Sequence, residues 1–205
     1  MHQTTISTSG CAQIFLIVFG LFFAGFAVVW MLMAWLSGGG IVFALFGIPF
    51  VVIGLVMIAI GAMQFVARAR VGTPTITVSS DTLRVGERFT CHVEHTFKSN
   101  VNAGRILLQL VQRETARYRR GTDTYTVTHE DIAAEFDLPA RAYRRGETLY
   151  DDRTLQIPRQ GMHTFKAINN QIQWFVRMKI EVTGWPDVVQ EKELVVLPEL
   201  VKEAA

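Results

Sequence analysis

The chain has 205 residues, 20 Lys and Arg against 18 Asp and Glu, and a formal net charge of +2, so it lacks the strongly basic balance of a nucleic-acid-binding domain. Half of its residues are hydrophobic, yet that average describes neither part of the chain, because the first 67 residues contain no Asp, Glu, Lys or Arg. The length allows one large domain or two smaller parts, and the charge distribution points to two.

A short amino-terminal arm, residues 1–11, leads into AQIFLIVFGLFFAGFAVVWMLMAWL, residues 12–36. After Ser37, Gly38, Gly39 and Gly40 comes IVFALFGIPFVVIGLVMIAIGAMQFV, residues 41–66. At about 1.5 Å per residue each run exceeds the ~30 Å of hydrocarbon in a bilayer, so both read as spanning helices. The arm has no basic residue ahead of the apolar run and no convincing cleavage site, so a removed signal peptide is not expected. The glycine-rich linker fits a tight turn, and residues 12–67 are predicted to form a transmembrane helical hairpin. Gly20 with Ala24, and Gly54 with Gly61, offer small-residue faces on which the helices close together or a partner helix binds. Pro49 falls inside the second run, where local packing has to satisfy the carbonyl it leaves free. Neither run holds an ionisable residue, which argues against an ion pathway formed by this chain alone. Arg68 and Arg70 follow at once, with Arg84 and Arg88 further on, and the positive-inside rule then predicts both termini on the cytoplasmic side.

From Thr75 onward the apolar pattern has period two. TITVS, residues 75–79, puts Ile76 and Val78 on one face, and a turn from Asp81 to Gly86 leads to RFTCHVEH, residues 88–95. GRILLQLVQRETARYRRG, residues 104–121, starts with Ile106, Leu108 and Leu110 on one face and Leu107 and Val111 on the other. That pattern predicts a strand that is central at its start and exposed at its arginine-rich end. YTVTHEDIAAEFDLPA, residues 125–140, is either a strand bent near Asp131 or contains one helical turn; TLQIP at 154–158 is a weaker strand, and EKELVVLP at 191–198 is the last one expected. In INNQIQWFVRMKIEVTGWPD, residues 168–187, one face carries Ile172, Trp174, Val176, Met178, Ile180 and Val182. The other carries Gln171, Gln173, Arg177, Lys179 and Glu181, interrupted by Phe175, so one inward and one solvated face are predicted. GWPD reads as a turn, with Pro186 holding Trp185 extended and Trp185 closing the end of the sheet stack. About seven short strands over residues 73–198 fit one antiparallel β-sandwich, followed by a tail, residues 199–205.

Three stretches carry a family resemblance: GERFTCHVEH at 86–95, ILLQLVQRETARYRRGTDTYTVTHE at 106–130 and, above all, IQWFVRMKIEVTGWPDVVQEKELVVLP at 172–198. They resemble bacterial arrestin-like β-sandwich modules, the relatives of arrestins, retromer Vps26 and the Spo0M sporulation-control proteins. The resemblance covers residues about 73–198 and none of the hairpin; Trp174, Trp185 and Pro186 are its fold-marking residues. Members usually pair two such sandwiches into a curved clasp and act as adaptors that bind other proteins, whereas this chain has room for one. The fold class expected is therefore a two-helix transmembrane hairpin followed by a single immunoglobulin- or arrestin-like antiparallel β-sandwich. The resemblance implies scaffolding rather than chemistry.

The residues themselves offer little chemistry. Cys91, His92 and His95 are the one local cluster to test, but on a strand Cys91 and His95 stand about 13 Å apart on the same face and His92 points the other way, too far for one tetrahedral zinc. The reading is a buried Cys91 beside surface histidines, unless His129 or His163 arrives from elsewhere. The electron-transfer subunit of haem–copper oxidases also joins a β-sandwich to a two-helix hairpin, but its copper site needs paired cysteines and this domain has one. Neither G-x-S-x-G nor G-x-x-x-x-G-K occurs, so neither an enzyme nor a cofactor is expected. In a reducing compartment neither cysteine forms a structural disulfide, and Cys11, at the membrane entrance, is either a lipidation site or a small boundary residue.

The arginines suggest contact surfaces instead. Arg113, Arg117, Arg119 and Arg120 form one basic tract and Arg141, Arg144 and Arg145 another, so Arg117, Arg119, Arg120, Arg141, Arg144 and Arg145 are the candidate contacts with a protein partner or anionic lipid. Solvated strand ends are the competing explanation, and nucleic acid is not an expected partner. Together the features predict a bacterial inner-membrane, multi-pass protein whose cytoplasmic sandwich docks a protein partner as an adaptor or accessory subunit, with homo-oligomerisation open. The alternative is an accessory or assembly subunit of an electron-transfer or transport complex that acts mainly through its helices.

Overall fold

A computed structural model of the chain describes residues 10–38 and 40–199. The chain divides into two compact units, Met1–Arg68 and Ala69–Ala205. In the first unit α1 spans Gly10–Leu36, α2 spans Gly40–Leu45 and α3 begins at Ile48 and runs to Val71. The side chain of Cys11 lies outside the described residues, as do the tail residues from 200 on.

The second apolar run is thus two helices rather than one. Phe46 and Gly47 separate them, and Pro49 sits in the first turn of α3, where its missing N–H removes no intrahelical bond. The glycines close the helix pair. A Cβ on Gly20 would come within 2.7 Å of the Gly54 carbonyl oxygen, one on Gly54 within 2.8 Å of the Ala24 Cβ, and one on Gly61 within 2.7 Å of Ile17. Backbones this close need hydrogen in place of a side chain, which is the packing mode of helices in lipid.

The second unit holds ten strands among the described residues: β1 Thr75–Val78, β2 Thr82–Arg84, β3 Arg88–Thr96, β4 Val101–Arg120, β5 Asp123–Leu138, β6 Ala142–Tyr143, β7 Thr148–Gln156, β8 Phe165–Lys166, β9 Asn170–Val182 and β10 Val188–Leu197. One sheet has the order β1-β3-β7; the other runs β2-β10-β9-β4-β5, with β6 on β4 and β8 on β9. The larger sheet is mixed, because β2 pairs parallel to β10, so the expectation of an antiparallel arrangement fails at that edge. The segment read as a turn from Asp81 to Gly86 contains β2, three residues that are too short to show a period.

The buried faces of both sheets enclose one core. On β3, Phe89, Cys91, Val93 and His95 are buried and alternate with exposed or half-buried residues. On β9, Trp174, Val176, Met178, Ile180 and Val182 are buried, as are Ile106, Leu108 and Leu110 on β4. Trp174 is fully buried and its indole N–H donates to the Met162 carbonyl at 2.8 Å, so its one polar atom is satisfied. A Cβ on Gly161 would stand 2.8 Å from the Trp174 ring, so the ring also dictates the glycine in that turn.

Two bulges set the phase of the long strands. Between Ala103 and Arg105 the register of β4 on β9 shifts by one residue, which Gly104 absorbs. Opposite Leu110 and Val111 the partners on β5 are Ala134 and Ile132, which leaves Ala133 as the extra residue. The bend expected near Asp131 is this bulge, and β5 contains no helical turn.

Candidate interaction surface

The outer face of the larger sheet is not the solvated face that simple alternation predicts. Leu107, Gln109 and Val111 on β4 and Phe175 and Arg177 on β9 all point outward and are all buried. A lattice of charged side chains covers them. Arg177 donates to Glu130 at 2.8 Å and to Glu191 at 2.6 Å, and Arg113 donates to the same two carboxylates at 2.7 Å each. The Arg113 guanidinium also lies 4.4 Å over the Phe175 ring. Lys179 bridges Glu181 and Asp187, and Arg105 bridges Glu135 and Asp137.

Burial alone would lower the pKa of Arg177, but its bonds to Glu130 and Glu191 outweigh burial and raise it. Burial works to raise Glu130, and its bonds to Arg177 and Arg113 bring it below the usual carboxylate range instead. Long aliphatic stems therefore lie over apolar side chains while the charged ends pair laterally.

Past Ala116 the situation reverses. β9 ends there, with Asn170 opposite Ala116, and the Arg117 amide donates to the Asn169 carbonyl at 2.7 Å. Beyond it β4 and β5 continue as a two-stranded hairpin to the turn at Gly121, whose φ of 68° suits only glycine well. Cross-strand pairing places Tyr118 against Tyr125 and Ala116 against Val127 on one face. The two tyrosine rings stack at 5.7 Å, and Tyr118, Tyr125 and Val127 are exposed. The opposite face carries Arg117 and Arg119 against Thr126 and Thr124, with Arg120 at the turn. Among the described residues none of Arg117, Arg119 and Arg120 has an ion-pair partner.

The second tract lies at the other end of β4. Val101 pairs with Tyr143, the Ala103 amide donates to the Arg141 carbonyl at 3.1 Å, and the Arg145 amide donates to Asn100 at 2.9 Å. Arg141 is held by Glu147 and lies 4.4 Å over the Tyr143 ring, whereas the Arg144 and Arg145 side chains have no carboxylate partner among the described residues. With 20 residues in β4 at about 3.4 Å each, the two tracts stand roughly 60 Å apart along the strand. They cannot form one surface.

Trp185 is half-buried at this same end, with the Arg70 guanidinium 4.9 Å over its ring. Pro186 is likewise half-buried. Both fold-marking residues of the turn thus sit away from the hairpin tip.

The Cys91 cluster is a packing feature. Cys91 is fully buried, and burial, with Asp151 and Asp152 adding to it, pushes its thiol up to about 12. His92 is on the outer face, bonded to Asp152. His95 is 1% exposed rather than a surface residue, and it packs edge-on against Phe97 with ring centroids 4.4 Å apart. Neither of its ring nitrogens has a well-formed hydrogen bond; burial lowers its pKa to about 4, and the Val71 carbonyl only partly opposes this. Among the described residues no group of three His, Cys, Asp or Glu side chains is placed to hold a metal ion.

No protein-family profile matches the chain, and no curated protein matches it. Among solved structures it is similar to Spo0M, a sporulation control protein from Bacillus subtilis, with 16% identity and a TM-score of 0.47. The likeness covers 60% of this chain and 48% of that one, so the chain spans about half the length of the structure it matches.

Proposed function

We propose that the protein is a non-catalytic, membrane-anchored adaptor or accessory subunit that docks an acidic protein partner on the β4–β5 hairpin. The observation that carries this reading is the contrast in cation use: the sheet pairs its central arginines with carboxylates but leaves Arg117, Arg119 and Arg120 unpaired on a projecting arm, beside an exposed tyrosine stack. Arginine and tyrosine are the residue types that anchor protein interfaces, and unpaired guanidinium groups complement an acidic surface.

The anchor is supported by two helical stretches, Gln13–Leu36 and Ile41–Val71, each long and apolar enough to cross a membrane. Only 11% and 12% of their most apolar windows are buried, so these helices present apolar side chains outward, unlike the core helices of a soluble domain. Arg68 and Arg70 then favour a cytoplasmic position for both termini in the inner membrane of a bacterial cell.

The test is capture from native membranes with the intact chain, with residues 70–205 alone, and with a chain carrying Tyr118→Ala, Arg119→Glu and Arg120→Glu. Capture by residues 70–205 that is lost in the triple variant supports the adaptor; capture unchanged in the triple variant sinks it. A second reading, in which the helices make the main contact, is favoured by one feature. An apolar notch of about 280 Å³ is lined by Phe23, Phe26, Ala27, Trp30, Phe46, Gly47 and Phe50. Capture that needs residues 12–67 and ignores the sandwich supports that alternative.

A further inference from the structure

The chain enters the second unit through the last residues of α3, and the hydrogen bonds around that point gather a second set of unpaired cations. The Ser99 hydroxyl donates to the Arg70 carbonyl at 3.0 Å, and the Lys98 amide donates to the Val71 carbonyl at 3.3 Å. The Gly146 amide donates to the Phe97 carbonyl at 2.7 Å, which brings the loop bearing Arg144 and Arg145 to the same place. Arg70, Lys98, Arg144 and Arg145 are exposed, and among the described residues none of their side chains forms an ion pair with a carboxylate, although the Arg144 amide donates to Glu147 at 2.9 Å. Arg141, which precedes this loop, is by contrast held by Glu147.

We propose that Arg70, Lys98, Arg144 and Arg145 form a collar that binds the headgroups of anionic lipids around the point where the chain leaves the apolar helix. This rests on the membrane-spanning reading of the helices given above. α3 has 24 residues and is about 36 Å long, which exceeds the ~30 Å of hydrocarbon, so its last turn reaches headgroup depth. Whatever angle the sandwich adopts, the peptide bond between Arg68 and Ala69 keeps Arg70 beside the emerging helix, and the hydrogen bonds just described keep the other three cations beside Arg70. Guanidinium groups match phosphate oxygens in pairs, and Trp185, with its polar N–H and broad apolar ring, is the residue type that settles at this depth. The hairpin arginines stand many screening lengths away along β4 and do not belong to the collar.

The experiment uses the full chain in nanodiscs of phosphatidylcholine alone and of phosphatidylcholine mixed with phosphatidylglycerol, read by amide hydrogen exchange. Exchange across residues 97–100 and 143–147 should slow in the anionic discs, by about fivefold for each contacting cation, and recover at high salt. Arg144→Gln with Arg145→Gln should abolish most of the slowing, and so should Lys98→Gln in smaller degree, while Arg119→Gln with Arg120→Gln leaves it intact. Equal exchange in the two lipids, or slowing at residues 117–123 instead, overturns the collar while the anchor stands. A chain that does not insert into either disc overturns the anchor itself, and the collar with it.

Discussion

Arg113 and Arg117 lie four residues apart on the same face of the same strand, yet one is locked and the other is bare. Around Arg113 four strands run side by side, so Glu130 arrives from β5 and Glu191 reaches across β9 from β10. Around Arg117 only β5 remains, and it presents Thr126. The sequence is more basic around Arg117, which is followed by Arg119 and Arg120, but the carboxylates that hold Arg113 come from other strands, so the neighbouring strands decide whether a guanidinium becomes part of the fold or part of the surface. An arginine-rich tract is therefore not a unit of function, and this one changes role at Ala116.

The sharpest way to break that contrast is Arg177→Met. It leaves two partly buried carboxylates with one arginine between them and should cost about 3 kcal/mol of sandwich stability, seen as a lowered urea midpoint by circular dichroism in detergent. Next comes acid. Below pH 6.5 the unfolded chain takes up a proton at His95 that the folded chain refuses until about pH 4, so stability should fall by about 3 kcal/mol across that window. His95→Leu should flatten that part of the pH profile, and an unchanged slope would mean that His95 is not the titrating group. Glu130, whose pKa lies below the usual range, adds a further loss as pH falls past its unfolded value of 4.5. Smaller again, Tyr118→Ala removes one cross-strand ring pair and should cost about 0.5–1 kcal/mol. Smallest is Arg119→Gln, which should change stability by less than about 0.5 kcal/mol while weakening partner capture; a large stability loss there would erase the distinction between locked and bare arginines.

Much of the architecture was legible from residue patterns because burial repeats. The apolar runs, the strands beginning near residues 75, 88, 104, 125 and 170, and the buried face from Trp174 to Val182 all follow from hydrophobic period alone. What escaped detection has physical causes. Alternation puts Val111 on the second face of a central strand and marks Phe175 as an interruption of a solvated one, but nothing local says that arginines from neighbouring strands fold over them. β2 and β8 are too short to show a period, and the parallel pairing of β2 with β10 is a choice between distant segments. The usual exposure of histidine favours a surface position for His95, whereas its place in the alternation with Phe89, Cys91 and Val93 puts it inward. The six candidate arginines could be named from the sequence, but that Arg117, Arg119 and Arg120 lie beyond the end of β9 while Arg141 is held by Glu147 required the register of β4 and the side-chain pairing.

The extra residue at Ala133 works as a phase shifter. Above it the outward positions of β5 are odd-numbered, Asp137 and Glu135; below it they are even-numbered, Ile132, Glu130 and Thr128. An uninterrupted strand would have turned Asp131 toward Arg113 and sent Glu130 to the opposite side. One residue of slack thus chooses which of two adjacent acids locks the sheet, and the same half-step places the two tyrosines of the arm on a common side.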